Sequence, residues 1–264
     1  MAFLTKHGKQ DIIAPAFKRL YGIDIVHTDA FDTDTLGTFD NRIARTKSAK
    51  ETALIKARMA CELTGLSAGI GSEGSFNEEL GFGIVNQEIL AFVDKSNAVE
   101  IIASVAKPLP LSVWTVDSMD ALKQHHKLFD GAQAWHVFEG QQSGAGLIGK
   151  GLQSIDAALL ALKGHSFPIS LAPDFRAMNC PARQTNIALA AEDLGKRLCA
   201  LCPKCAHPNF VFDKKESGLP CELCHAPSTL ALGSRAKCDH CDHTVMQRNE
   251  QAVAPSFYCL SCNP

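Results

Sequence analysis

Four Cys-x-x-Cys pairs crowd the C-terminal quarter of the chain: Cys202/Cys205, Cys221/Cys224, Cys238/Cys241 and Cys259/Cys262. Each pair suits a knuckle, a tight turn that aims two sulfurs at one metal. Zinc takes four ligands in a tetrahedron, so four knuckles complete two sites, each held by four thiolates. Pairing in chain order leaves 15 residues between the first two knuckles and 17 between the last two. Both gaps suit the zinc-ribbon spacing, which favours that order. An interleaved pairing, first with third and second with fourth, would make a cross-brace instead. With every position filled by thiolate, neither Zn2+ keeps an open place for substrate, so both read as structural. Few apolar residues lie between the knuckles, and metal there replaces a hydrophobic core. Nine of the eleven cysteines lie at or after Cys199. Cys199 itself reads as a spare thiol, and His207, His225, His240 and His243 as loop residues. From Cys202 onward six basic residues stand against six acidic ones. No basic patch marks a nucleic-acid surface, and docking of either nucleic acid or protein stays open.

Outside the cysteines, chemistry-bearing residues fall into four groups. Thr5-Lys6-His7-Gly8-Lys9 follows a short apolar run and leads into a helix. Backbone N–H groups at a helix start, a hydroxyl and two lysines suit phosphate, although a plain polar turn reads the same way. Glu73 stands among small residues in Ser72-Glu73-Gly74-Ser75. A carboxylate so placed at a strand end suits metal or substrate chemistry, or is an exposed turn residue. Asp29, Asp32 and Asp34 are spaced to hold a hard divalent ion such as Mg2+, or to form Asx turns. In the stretch from Asp174 to Arg183, Asn179 is placed to cap a helix whose first turn holds Pro181. Arg176 and Arg183 would then flank an anion-binding helix start, or pair with nearby acids. His136 and the pair His125-His126 read as strand and helix-surface residues without chemistry.

The elements that must position these groups are legible as alternating apolar runs and amphipathic stretches. Strands are expected at 2–5, 23–27, 68–71, 83–85, 89–93, 99–104, 111–115 and 134–138. Helices are expected at 11–20, 48–64, 119–129, 152–162 and 182–201. The helix from 48 is the best marked: Ser48 and Glu51 form the capping box S-x-x-E, and Gly65 supplies a stop. The mixture predicts an α/β fold, a mixed sheet flanked by helices, over residues 1–198. A double zinc-ribbon-like module then occupies 199–264. A chain of 264 residues with 46% hydrophobic and 20% charged content is that of a globular protein. Its net charge of -2 builds no general field towards nucleic acid or anionic membrane. No run reaches the ~18 uncharged apolar residues of a membrane span, so no membrane partner is expected. The N-terminus lacks the apolar segment of a secretory signal, which makes the cytoplasm the expected compartment. Cysteines there are thiols or metal ligands, not disulfides.

Two resemblances add to this reading. Thr5-Lys6-His7-Gly8-Lys9, then Glu51-Thr52-Ala53-Leu54-Ile55-Lys56-Ala57, then Ser72-Glu73-Gly74-Ser75 resemble, in order and separation, motifs of the inosine/xanthosine triphosphate pyrophosphatases. Those motifs run T-x-N-x-x-K, E-N-A-x-x-K-A and D-D-S-G, and the similarity covers roughly residues 2–95. His7 stands where that family has asparagine, and Ser72 and Glu73 stand where it has paired aspartates. The resemblance implies a Mg2+-dependent hydrolase that releases pyrophosphate from nucleoside triphosphates or related phosphate compounds. It implies that Glu51 and Glu73 hold Mg2+ or activate water, that Lys9 and Lys56 bind phosphates, and that Thr5 and His7 orient them. The whole chain also resembles a bacterial group with a cysteine-rich tail that shares its HGK, GTF and SEGSF stretches; that likeness implies no activity. Two rivals follow from the same residues. One is a non-catalytic protein with a nucleotide pocket whose ribbons dock nucleic acid or a protein. The other is a metal-dependent nuclease using Asp32, Asp34 and Glu73.

Overall fold

A computed structural model describes residues 1–36, 47–79, 83–141 and 146–264. The Gly37-Thr38-Phe39 stretch lies outside the described residues. The chain divides into two compact units, Met1–Leu194 and Gly195–Pro264.

The first unit opens with β1 (Ala2–Leu4), α1 (Gln10–Tyr21) and β2 (Val26–Thr28), followed by α2 (Ala49–Thr64). A meander then runs through β3 (Ala68–Glu79), β4 (Gly83–Asp94) and β5 (Val99–Pro108). These strands form one sheet in the order β2-β1-β3-β4-β5. β1 is parallel to β2 and to β3, while β3, β4 and β5 are antiparallel. A second sheet contains β6 (Trp114–Val116), β7 (Trp135–Glu139), β8 (Leu147–Leu152) and β9 (Ile169–Pro173), ordered β6-β9-β7-β8. Its core joins Val137, Ile169 and Leu171 to Leu122 of α3 (Met119–Gln124) and Ala158 of α4 (Ile155–Ala161). α5 (Pro181–Cys199) carries the chain across the boundary between the units.

The packing of α2 on β3 decides where the chemistry falls. The expected capping box is present: the Ser48 hydroxyl accepts from the Glu51 N–H at 3.2 Å, and the Glu51 carboxylate accepts from the Ser48 N–H at 2.9 Å. Ala53, Ala57 and Ala60 form a small-residue face on the helix, all fully buried. Gly69 and Gly71 oppose them. A Cβ at Gly71 would lie 2.0 Å from the Ala53 carbonyl oxygen, and one at Gly69 would lie 2.3 Å from that of Ala57. Glycine alone lets helix and strand backbones approach this closely. Glu73 continues the same strand face by the two-residue period.

Several expectations need correction. Residues 72–79 continue β3 and do not form a turn, so Glu73 lies inside a strand. The Asn86-Gln87-Glu88 trio does not break the next strand; β4 is continuous. In both cases pairing across the meander overrides weak local β-propensity. β8 and β9 were unexpected, and the helix expected over 119–129 is α3 followed by a 3-10 turn at His126–Phe129. No described helix is long and apolar enough to cross a membrane.

The second unit is built on β10 (Lys214–Ser217), β11 (Ala231–Lys237) and β12 (Thr244–Arg248), an antiparallel sheet in that order. Its apolar core is small, with Phe210 and Ala236 packed beside the Cys202 and Cys238 thiols.

Candidate functional site

β1 ends at Leu4, whereas its partner β3 continues to Glu79. The turn after β1 therefore comes down beside residues 72–74 of β3. Lys9, at the start of α1, donates from its Nζ to Ser72 Oγ at 3.2 Å and faces Glu88 Oε2 at 3.3 Å. Glu88 lies opposite Gly74 in the β3–β4 register, so both share the face that carries Ser72. From the other side Arg183 of α5 brings its Nε to Glu88 Oε1 at 2.6 Å, and its NH1 donates to the Phe175 carbonyl. A Cβ at Gly74 would meet Arg183 and Glu88 at 2.5 and 2.6 Å, so the glycine makes room for this pair. Asn86 donates to Glu88 Oε1 at 2.9 Å, and Asn186 donates to Asn86 Oδ1 at 3.0 Å. The Arg183 guanidinium also stands 5.4 Å from the Phe76 ring centre, and Phe76 stacks on Phe175.

On the opposite face of β3, Lys56 of α2 forms a buried ion pair with Glu73. The two faces are electrically coupled, since Lys9 senses both Glu73 and Lys56. Three cations (Lys9, Lys56, Arg183) and two carboxylates (Glu73, Glu88) thus leave one excess positive charge. Burial lowers the Lys9 ammonium from 10.5 to about 8, only partly opposed by Glu88. Burial would raise the Glu88 carboxyl, but Lys9 and Arg183 outweigh it and hold it below the ordinary carboxylate range. Removing one member of a buried pair costs about 3–5 kcal/mol, so this cluster has to be assembled whole.

The sequence-derived candidates divide on this geometry. Lys9, Lys56 and Glu73 come together on β3. Thr5 is buried at the same turn, where its Oγ1 accepts from the His7 N–H at 3.3 Å. Glu51 stays at the exposed end of α2, where Ser48 hydrogen bonds hold its carboxyl low. Asp32 pairs with Lys6 at 3.2 Å. Asp34 falls in the 3-10 turn Thr33–Leu36, and its side chain lies outside what is described. Arg176 and Arg183 do not flank one anion site: Arg183 serves Glu88, while Arg176 grips Asp174 with its Nε at 3.0 Å and NH2 at 2.5 Å. Asn179 also donates to Asp174, at 2.6 Å, so its side chain is turned to that carboxylate. Asp174 is the acid that competes for both groups. Burial opposes its ionisation, but these donors outweigh it and depress its pKa. His136 faces it at 3.6 Å and accepts from the Gly151 N–H through Nδ1.

Glu88, Asn86 and Asn186 were not anticipated. A signal existed: Ile84, Asn86, Glu88 and Leu90 fall on one face of a strand, and two polar residues on a core-facing line imply a buried polar network.

The cysteines gather into two clusters, Cys202/Cys205/Cys238/Cys241 and Cys221/Cys224/Cys259/Cys262, with the sulfurs of each within 4.8 Å of one another. Pairing in chain order is therefore corrected to the interleaved cross-brace. The antiparallel sheet is the reason. Lys214 pairs with Arg235 and Lys237 with Thr244, so the first and third knuckles meet at one end of the sheet. The second and fourth knuckles follow the far ends of β10 and β12. At about 3.4 Å per residue, β11 keeps the two ends roughly 20 Å apart. Closest sulfur contacts are 3.7 and 3.6 Å in the first cluster and 3.9 and 3.5 Å in the second. A tetrahedron with metal–sulfur bonds of about 2.3 Å has edges of about 3.8 Å, so both clusters are shaped to hold a metal ion. Among the described residues these are the groupings of three or more metal-ligating side chains.

No curated protein and no solved structure matches the chain. A family model described as a domain of unknown function, DUF6671, matches residues 56–264. The match starts at Lys56 in α2 and takes in Glu73, Glu88, Arg183 and all eight clustered cysteines. The chain belongs to the DUF6671 family.

Proposed function

We propose that the first unit is a hydrolase of nucleoside triphosphates or related phosphate compounds, releasing pyrophosphate, and that the second unit is a structural module holding two zinc ions. The observation that carries the first part is the convergence of Lys9 and Lys56, from different segments, on Ser72 and Glu73 of one strand. The two ammonium groups reach β3 from its two faces, at the stretch that β1 leaves uncovered beyond Leu4. A phosphate chain crossing that strand edge would meet both, together with the hydroxyl and the carboxylate. In this reading Lys9 and Lys56 bind phosphate, and Thr5 and His7 orient the turn. Glu88, with Arg183, positions Lys9. Arg176 and Asn179 act only through Asp174.

The residues fit Mg2+ at one point and not at another. Glu73 is the carboxylate that would hold an ion entering with the substrate, once phosphate draws Lys56 away. Glu51 is committed to the capping box and does not complete a carboxylate pair. Mg2+ tolerates this, because it commonly takes one or two carboxylates and completes its shell from phosphate and water. Bound there, the ion would supply charge neutralisation at the phosphates. For the cysteine clusters, an all-thiolate tetrahedron supports zinc and a role in folding.

The test is pyrophosphate release from a panel of nucleoside triphosphates, with and without Mg2+, on protein of measured zinc content. Glu73→Gln is expected to lower kcat by a factor on the order of 100 or more. Because it also leaves Lys56 without its buried partner, at about 3–5 kcal/mol, the rate is read on protein whose circular dichroism shows it folded. A rate that Glu73→Gln leaves unchanged sinks the enzymatic reading. Nucleotide binding with no turnover would instead favour a non-catalytic nucleotide-binding protein.

A further inference from the structure

The two ends of the C-terminal sheet differ in chemistry. At the first centre the knuckles carry Pro203-Lys204 and Asp239-His240 between their cysteines. At the second they carry Glu222-Leu223 and Leu260-Ser261. Leu223 directly precedes Cys224, and Leu260 directly follows Cys259. The sulfurs of those two cysteines lie 3.5 Å apart, so both leucines flank the same edge of the metal centre. Leu223 is 68% exposed and Leu260 70%. Phe257, 71% exposed, precedes Leu260 in the 3-10 turn Ser256–Tyr258, its ring 5.2 Å from that of Tyr258. The Tyr258 carbonyl is fixed by the Thr229 N–H and hydroxyl at 3.0 and 3.2 Å. Thr229 also lines a groove of about 420 Å³, with Leu219, Leu230 and Gln251. Thus a tethered aromatic pair, two leucines and a groove adjoin one another.

Large apolar side chains concentrated in this way mark an interaction surface, not the scattered exposure of ordinary surfaces. Charge selects the occupant. Residues 216–234 and 249–264, which build this end, contain no Lys or Arg. They contain Glu216, Glu222 and Glu250, of which Glu216 is paired with Arg235. Lys215 stands at the groove's border and the exposed Arg248 ends β12 on this side, two separate cations and not a track. On the zinc reading above, four thiolates outweigh the two positive charges of the ion, and the centre adds further negative charge. A nucleic-acid backbone would find no cationic track along these segments, although the aromatic rings alone could stack on bases.

We propose that the second metal centre is a docking face for a partner protein, and that it takes a segment with apolar anchor side chains flanked by Lys or Arg. Phe257, Leu260 and Leu223 supply the apolar contact, and Glu222, Glu250 and the thiolate centre attract the basic flanks. The inference rests on the zinc reading and is independent of hydrolysis in the first unit.

The experiment uses full-length protein with zinc content measured, and fluorescein-labelled synthetic peptides that carry Leu and Phe anchors between Lys/Arg flanks. Control peptides have Glu flanks or Ser in place of the anchors. The cationic apolar peptides are expected to bind, with affinity falling about tenfold or more in Phe257→Ser and in Leu260→Ser. Both side chains are largely exposed, so two zinc equivalents should remain in each variant. Equal binding of the Glu-flanked peptides, or no binding at all, overturns the proposal. So does self-association that Phe257→Ser abolishes, which would make the occupant a second copy. Oligouridine binding that depends on Phe257 would overturn it in favour of base stacking. Wild-type protein with fewer than two zinc equivalents brings down the zinc reading itself, a failure distinct from the others.

Discussion

Lys9 is the residue on which the first unit's electrostatics turn. Buried between Ser72 and Glu88, its ammonium has a pKa of about 8 in place of 10.5. Between those values the unfolded chain binds more protons at this position than the folded one. Folded stability therefore rises with pH across that window, by on the order of 3 kcal/mol for this group. Urea unfolding at about pH 7 and about pH 10 should register that rise in the wild type and lose it in Lys9→Met. Phosphate binding runs the other way, because it needs the charged form and weakens as pH passes 8. Replacement of Lys9 by arginine, which stays charged, should abolish that alkaline limb in a binding titration, at whatever cost in affinity. A limb that persists in Lys9→Arg would assign it to another group. The sequence places Lys9 in a suitable turn because the pattern is local. The pairing of Glu88 with Arg183 is not local: the two stand 95 residues apart and meet only through the sheet and α5.

The pairing of α2 with β3 is the element that brings Lys56 to Glu73. Its condition is the absence of side chains at Gly69 and Gly71, opposite an alanine face. Gly71→Ala would set a methyl carbon 2.0 Å from the Ala53 carbonyl oxygen and 2.5 Å from the Ala57 nitrogen. Those atoms are backbone, so the helix has to move as a body. Overpacking of this kind costs about 1–3 kcal/mol. Gly131→Ala, which meets nothing within 4 Å, should stay within about 0.5 kcal/mol of wild type. Thermal unfolding of the two variants side by side separates the cases, and equal destabilisation would remove the close-packing argument. The capping box and stop of α2 are readable because each depends on residues three or four apart. The length of β3 is not. Ser72-Glu73-Gly74-Ser75 has the composition of a turn, and only its pairing with residues 87–90 of β4 keeps it extended.

At the scale of the whole chain, the two units rely on different sources of stability. The first has apolar cores under both of its sheets, whereas the second has only a few buried apolar residues, Phe210, Leu219, Ala236 and Ala254, beside its cysteines. Chelation of metal should therefore unfold Gly195–Pro264 while the circular dichroism of the first unit survives. The positions of the knuckles can be read from the sequence to the residue, since each is a four-residue pattern. Their partnership cannot, because the spacings suit both orders and only the strand directions distinguish them. Paired substitutions make that difference measurable. Cys205 and Cys241 belong to one cluster, so the double variant Cys205→Ala/Cys241→Ala should lose one equivalent of metal and keep the other. Cys205 and Cys224 belong to different clusters, so Cys205→Ala/Cys224→Ala should damage both centres and lose up to two. Pairing in chain order would reverse the outcome, because Cys205 and Cys224 would then share a site. Metal stoichiometry of the two purified variants, set against the wild type, decides between the arrangements. Retention of one full equivalent by Cys205→Ala/Cys224→Ala and loss of both by Cys205→Ala/Cys241→Ala would overturn the cross-brace.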